Sequence, residues 1–316
     1  MARFYCLILL ITFSLSACAK GSQLSLNRYT SLTGWGVNSY YVETEKHIVL
    51  IDAQLLASDA KLLAANLKSI GKPLKAVFIT HPHPDHIGGL AVLRDAFGDF
   101  DIVATESSAK HFKIAYQRFL NSSFSKPFGT KVEKRLVSAN KIFKDQEILS
   151  VDGIEFKVHD LGAGEAVNHL AVSVDSKKWL FTGDATMHNA HFYVGEGRSA
   201  AAIKIFDRLA THFQDYRFYT GHGEPASSKI LIDQKVYVET LRASVREALQ
   251  VNDNIRADKK GLKQEVRSRI AQNIHQKYPY YADYGLNPVD VITWNLMGIE
   301  FEMNNERLVK TNTSGK

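Results

Sequence analysis

Cysteine is almost missing from this chain: Cys6 and Cys18 are the only two in 316 residues. Both precede the bulk of the sequence, so neither a disulfide framework nor a thiolate metal site is expected to hold it together. Stability must come from a buried core. Proline is scarce as well, at seven residues, and a composition of 45% hydrophobic and 23% charged residues excludes a disordered or fibrous chain. No apolar run reaches the roughly 20 residues that a membrane-spanning helix needs. A dense basic run is also absent. The net charge of +6 arises from 39 Lys and Arg scattered among 33 Asp and Glu, with no recognition motif beside them, so nucleic acid is not an expected partner.

What is present at the start of the chain is an export signal. Arg3 precedes an apolar run from Phe4 to Leu15, which closes on Ser16-Ala17-Cys18 before polar Lys20-Gly21-Ser22-Gln23. Leu15-Ser16-Ala17-Cys18 resembles the lipobox of bacterial lipoproteins, in which the cysteine is acylated and begins the mature protein. The resemblance implies a signal peptide over residues 1–17, lipidation at Cys18, a linker to residue 27 and attachment to a membrane through the lipid. By analogy with lipoprotein sorting, Ala19 places the protein at the outer membrane facing the periplasm if the host has two membranes.

Beyond the linker, Val37–Val42 and His47–Asp52 flank a polar turn and predict a β-hairpin. Leu55 to Ile70 has apolar residues at helical spacing and stops at Gly71 before Pro73. Strand 76–79, a helix from Ile87 to Phe97, strand 101–104 and a helix from Lys110 to Leu120 follow. The stretch to Gly129 is turn-rich and carries no predicted element. Further strands are expected at 141–143, 154–158, 170–174 and 179–181, and long helices after Pro225, where Ile230, Val238, Leu241, Val245 and Leu249 keep helical spacing. Two strand-and-helix halves of this kind predict two sheets packed face to face with helices outside, a four-layer αββα sandwich over residues 28–227, followed by a helical C-terminal extension over 228–316.

Chemistry concentrates in His81-Pro82-His83-Pro84-Asp85-His86, three imidazoles and a carboxylate placed between a buried strand and Ile87-Gly88-Gly89. Nitrogen and oxygen donors at this density suit zinc or a similar divalent ion. The string reads H-x-H-x-D-H-x-G-G and resembles the signature of the metallo-β-lactamase superfamily. That resemblance implies a hydrolase with two divalent metal ions, zinc foremost, and a small-molecule substrate. It also implies downstream ligands, which Thr182-Gly183-Asp184 and Thr220-Gly221-His222-Gly223 supply in order. His81 and His83 would hold the first metal, Asp85, His86 and His222 the second, and Asp184 would bridge. Asp85 would also relay a proton. Asp52, at a strand end, resembles the early aspartate that orients a ligand histidine.

The third ligand of the first metal departs from the family pattern. Where relatives have a Gly-His turn, this chain reads Gly162-Ala163-Gly164-Glu165-Ala166-Val167-Asn168-His169. The ungapped alignment puts Glu165 at the ligand position, and His169 is the rival or a supporting residue behind it. A third carboxylate lowers the net positive charge of the centre and moves its preference toward harder ions, so manganese and iron stand beside zinc. His188, His191 and Tyr193 are pocket candidates. Esters, thioesters, lactones, lactams and phosphodiesters all remain open as substrates. Two other functions stand beside hydrolysis: a mononuclear iron oxidoreductase on the same fold, and a non-catalytic binding lipoprotein.

Overall fold

The computed structural model describes residues 24–256, 261–282 and 285–313, so the expected export signal and Cys18 lie outside the described residues. The first sheet holds β1 (Ser25–Thr30), β2 (Asn38–Glu43), β3 (Ile48–Ile51), β4 (Leu74–Phe78), β5 (Asp101–Ala104) and β6 (Lys141–Ile142), side by side in chain order. The expected hairpin is β2 and β3, paired with Tyr40 opposite Ile51. From β3 onward the neighbours are parallel. Parallel neighbours need crossovers. These are α1 (Ala57–Ser69), then α2 (Pro84–Ile87) with α3 (Leu90–Phe97), then α4 (Glu106–Leu120) with a 3-10 stretch over Ser123–Lys131.

A second sheet contains β7 (Ile148–Val151), β8 (Ile154–Gly162), β9 (His169–Val174), β10 (Trp179–Met187), β11 (Arg217–His222) and β12 (Ala226–Ser227), also adjacent in chain order. Its only parallel pair among the described residues is β10 with β11, bridged by α5 (Ser199–His212). Three further α-helices follow among the described residues: α6 (Lys229–Ala248), α7 (Gln264–Lys277) and α8 (Pro288–Thr313).

Alternation along each strand divides the core into layers. Ile48 and Leu50 of β3 join Leu63, Leu67, Leu90 and Leu93 of α1 and α3. Val49 and Ile51 point the other way and join Phe156, Val158, Val172 and Phe181 of the second sheet. A strand buried on both faces reads as a continuous apolar run, as Ile48-Val49-Leu50-Ile51 does. The outer face of the second sheet gives Ala171 and Leu180 to a cluster with Phe206 and Leu209 of α5, Leu241 of α6 and Leu296 of α8. The architecture is the four-layer αββα sandwich. Helices α6, α7 and α8 pack on the outer face of the second sheet and give Leu241, Ile274 and Leu296 to that cluster.

Two local readings differ from expectation. The single helix foreseen from Ile87 to Phe97 is broken at Gly88-Gly89, because the chain there lies against the segment leaving β3: a Cβ on Gly89 would overlap the Ala53 carbonyl oxygen. Helix α5 had no counterpart in the sequence reading, although Ala202, Ile205, Phe206 and Leu209 are buried at helical spacing.

Candidate metal centre

Both sheets contribute to the site: Asp52 follows β3, His81 to His86 follow β4, Glu165 lies between β8 and β9, Asp184 is in β10 and His222 ends β11. β4 feeds the segment from Ile79 to His83, where Pro84 begins the one-turn helix α2 and presents Asp85 and His86. Asp52 follows β3 in the left-handed region at φ +62°, a conformation that aspartate tolerates better than most residues. Its carboxylate accepts the Thr80 amide (2.9 Å) and the Thr80 hydroxyl (2.8 Å), and Oδ2 lies 2.8 Å from His86 Nδ1. With the Thr80 hydroxyl proton engaged by Asp52, its oxygen accepts from His81 Nδ1 at 3.1 Å. Both imidazoles therefore carry their proton on Nδ1 and turn Nε2 toward the site.

Seven side chains converge in two groups. His81, His83 and Glu165 form one, Asp85, His86, Asp184 and His222 the other, each with donor atoms within 4.8 Å of one another. Glu165 Oε1 lies 3.0 Å from His83 Nδ1, and Oε2 lies 3.6 Å from His81 Nε2. Asp85 Oδ2 is 3.4 Å from His86 Nε2 and 3.2 Å from His222 Nε2. Asp184 reaches toward both groups, 3.9 Å from His81 Nε2, 3.4 Å from His86 Nε2 and 3.3 Å from His222 Nε2. It fits there only beside a residue without a side chain, since a Cβ on Gly221 would collide with Asp184 Oδ1.

The donor set fits divalent cations. His81 Nε2, His86 Nε2, Glu165 Oε2 and Asp184 Oδ1 are all buried and carry no hydrogen bond, an arrangement that costs stability unless another partner satisfies them. Three carboxylates in one buried cluster likewise call for positive charge. In the metal-free protein that charge comes from protons. Burial works against ionisation, but the Asp184 and Asp85 carboxylates push His222 up to about 10. Burial also opposes the charges on Asp85 and Asp184, yet His86 and His222 hold both below the ordinary carboxylate range. Glu165 is raised, mainly by burial. His81 is driven down, mainly by burial.

His169 belongs to neither group. Its Nε2 accepts a 2.9 Å hydrogen bond from the Ala166 amide, and its ring sits behind Glu165 with Nε2 3.8 Å from Oε2. Tyr193 and His191 line the cavity in front of the centre, His191 with Nδ1 3.1 Å from the Tyr237 hydroxyl. His188 is not brought to the pocket: its Nδ1 lies 2.8 Å from the Glu224 carbonyl, at the surface. One neighbour escaped the sequence reading. Glu196 Oε1 approaches His83 Nε2 at 3.3 Å and its other oxygen is ion-paired with Arg198, so it can fix His83 with Nδ1 facing Glu165. No motif surrounds Glu196 that would have found it.

Fold and site together define a metal-binding αββα protein. Residues 32–227 match the profile of the metallo-beta-lactamase superfamily, and the chain belongs to that superfamily. It is 28% identical over 206 residues to a probable metallo-hydrolase of Streptococcus pyogenes, covering 60% of this chain and 79% of that protein. A hydroxyacylglutathione hydrolase of Prochlorococcus marinus is 25% identical over 159 residues, 50% of this chain and 54% of the relative. Among solved structures, a metallo-beta-lactamase family protein from Thermus thermophilus superposes with a TM-score of 0.64 at 18% identity, over 90% of this chain and 94% of that one. A beta-lactamase domain protein from Burkholderia ambifaria gives 0.62 at 14% identity, over 90% and 86%. Shares of that size extend beyond the 32–227 match, so the C-terminal helices have counterparts in both folds.

Proposed function

We propose that this chain is a hydrolase working with two divalent ions, one held by His81, His83 and Glu165, the other by Asp85, His86 and His222, with Asp184 between them. The observation that carries the reading is the placement of Asp184, whose carboxylate approaches histidines of both groups. Its reach supports two ions rather than one. When bound, such ions supply water acidic enough to act near neutral pH and polarise the bond to be cleaved. Asp52 and Thr80 keep the ring nitrogens of His81 and His86 turned inward, and Glu196 does the same for His83. Asp85, buried 3.2 Å from His222 Nε2, would take up a proton during attack and return it to the leaving group. Glu165 adds a carboxylate where the family pattern implies a neutral imidazole, so manganese or iron(II) competes with zinc.

The test is metal analysis of the purified protein together with an ester, thioester, lactone, lactam and phosphodiester panel. Two ions per chain and chelator-sensitive turnover of at least one class are expected. One iron per chain with oxygen consumption would replace this reading with the oxidoreductase alternative. The lipobox resemblance of Leu15–Cys18 supports the further proposal that the enzyme is exported and held at a membrane by lipid on Cys18.

A further inference from the structure

Above the candidate metal centre lies a cavity of about 350 Å³ whose floor includes His83, Asp85, Glu165, Asp184 and His222. Its walls are aromatic. Trp35 comes from the β1–β2 connection, Phe119 from α4, Phe124 from the 3-10 stretch and Trp294 from α8. The rings meet edge to face, with centroids 5.6 Å apart for Trp35–Phe119, 6.5 Å for Trp35–Phe124 and 5.0 Å for Phe124–Trp294. Phe124 is 41% exposed and its segment has no buried residue, so the ring stands between two indoles without being part of the core. The lining contains no lysine, and its one arginine, Arg118, is an exposed residue of α4. A phosphate ester is ordinarily met by convergent Arg or Lys donors, and this cavity does not converge them on its floor.

We propose, resting on the hydrolase reading above, that the cavity receives the apolar acyl group of an uncharged carbonyl substrate, a carboxylic ester, thioester or lactone with a bulky aliphatic or aromatic acyl part. The apolar walls are continuous with the reacting end, so the acyl group bound against Trp35, Phe124 and Trp294 hands its carbonyl to the floor. Burying each further methylene there strengthens binding until the cavity is full.

The full chain, loaded with zinc or manganese, is assayed with p-nitrophenyl esters from acetate to decanoate and with bis-p-nitrophenyl phosphate. kcat/KM rises on the order of tenfold or more from acetate to octanoate, and the phosphodiester is slower than any ester. Phe124→Ala and Trp294→Ala each shrink the octanoate-to-acetate ratio several-fold. Phe124→Ala, at an exposed position, keeps the test valid if Trp294→Ala fails to fold. A flat chain-length profile, or preference for the phosphodiester, overturns the proposal. Displacement of the dye 1-anilinonaphthalene-8-sulfonate by 1-octanol reads the cavity without turnover. If octanol binds and both substitutions weaken it while no ester, thioester or lactone is cleaved, the apolar site stands but the acyl-substrate proposal is overturned, and the hydrolase reading fails only if lactams and phosphodiesters are not cleaved either. If octanol does not bind, the site itself is refuted.

A different observation concerns Tyr193. Asn295 of α8 is fully buried and clamps the chain on both sides of it: Nδ2 donates to the Phe192 carbonyl at 2.8 Å, and Oδ1 accepts from the Val194 amide at 2.7 Å. Gly298 lets the helix sit on that loop, since a Cβ there would fall 2.5 Å and 2.6 Å from the Val194 and Gly195 carbonyl oxygens. The phenol lines the cavity within electrostatic reach of Glu165 and Glu196, and among the described residues it has no hydrogen-bond partner. We infer that Tyr193 donates a hydrogen bond to a substrate oxygen and that Asn295 is its positioning residue. With the best ester from the series, Tyr193→Phe lowers kcat on the order of tenfold to a hundredfold. Asn295→Ala causes a similar loss alone but little further loss in the Tyr193→Phe background. Asn295→Asp, which keeps the acceptor for Val194, recovers part of it and serves if the alanine variant is unstable. Unchanged kcat in Tyr193→Phe, or an equal penalty from Asn295→Ala in both backgrounds, overturns the assignment.

Discussion

Asp52 Oδ2 and His86 Nδ1 are 2.8 Å apart, and the same carboxylate accepts the amide and hydroxyl of Thr80. One side chain at the end of β3 thus ties the metal-facing loop to the first sheet and sets the inward nitrogens of two histidines. Asp52→Ala removes the acceptor and frees both tautomers. Metal affinity, measured by competition with a chromophoric chelator, is expected to fall about 10–100-fold. Unchanged affinity would mean that the loop holds its histidines without Asp52.

Glu165 and His169 make separable predictions. Glu165→Ala should lose the ion held with His81 and His83, because among the described residues no other carboxylate lies beside His83 Nδ1, where Glu165 Oε1 sits at 3.0 Å. Glu165→His should keep that ion and shift preference toward zinc. His169 engages the Ala166 amide, so His169→Ala should retain both ions. Metal counts by plasma emission decide. Loss of an ion in His169→Ala with both retained in Glu165→Ala would reverse the assignment.

The metal-free protein should become less stable as pH rises above neutrality. His222 is pushed from 6.5 up to about 10, burial notwithstanding, by Asp184 and Asp85, and His86 is raised by Asp52, Asp184 and Asp85 against the same burial penalty. A raised folded value contributes stability that is complete below the unfolded value and lost as pH climbs through the folded one. The Tm of chelator-treated protein is therefore expected to decline between pH 6.5 and about 10. Metal binding at pH 7 should release protons, since cations replace them on the imidazoles. Calorimetry in buffers of different ionisation enthalpy reads that release, and its absence would contradict protonated histidines in the metal-free site.

The proposed lipid attachment would rest on Cys18. Cys18→Ser should move the protein from the membrane fraction to the soluble fraction while leaving the soluble form's activity intact. Membrane association that survives the substitution would rule out the anchor.

Much of this was legible in the sequence, for physical reasons that differ by residue. The hairpin of β2 and β3 was legible from its two apolar runs around a polar turn, and the segment from His81 to His86 because four of its six residues are candidate ligands. Asp184 and His222 were legible only as followers of that motif, since a Gly-Asp or Gly-His turn is common. His188 lies close to Asp184 in sequence, but its ring turns to the Glu224 carbonyl as the chain leaves β10. Glu196, Trp35, Phe124 and Trp294 were not legible at all. They come from separate connections and from α8, and only the packing of α4 and α8 around the cavity makes them neighbours.

Whether Asp184 joins two ions into one hydrolytic centre is tested most directly by the metal stoichiometry and turnover of Asp184→Ala, measured on protein whose circular dichroism matches the parent. Loss of at least one ion per chain and loss of hydrolysis, with the fold retained, are expected. Full metal occupancy with normal turnover in that variant would contradict the two-ion centre.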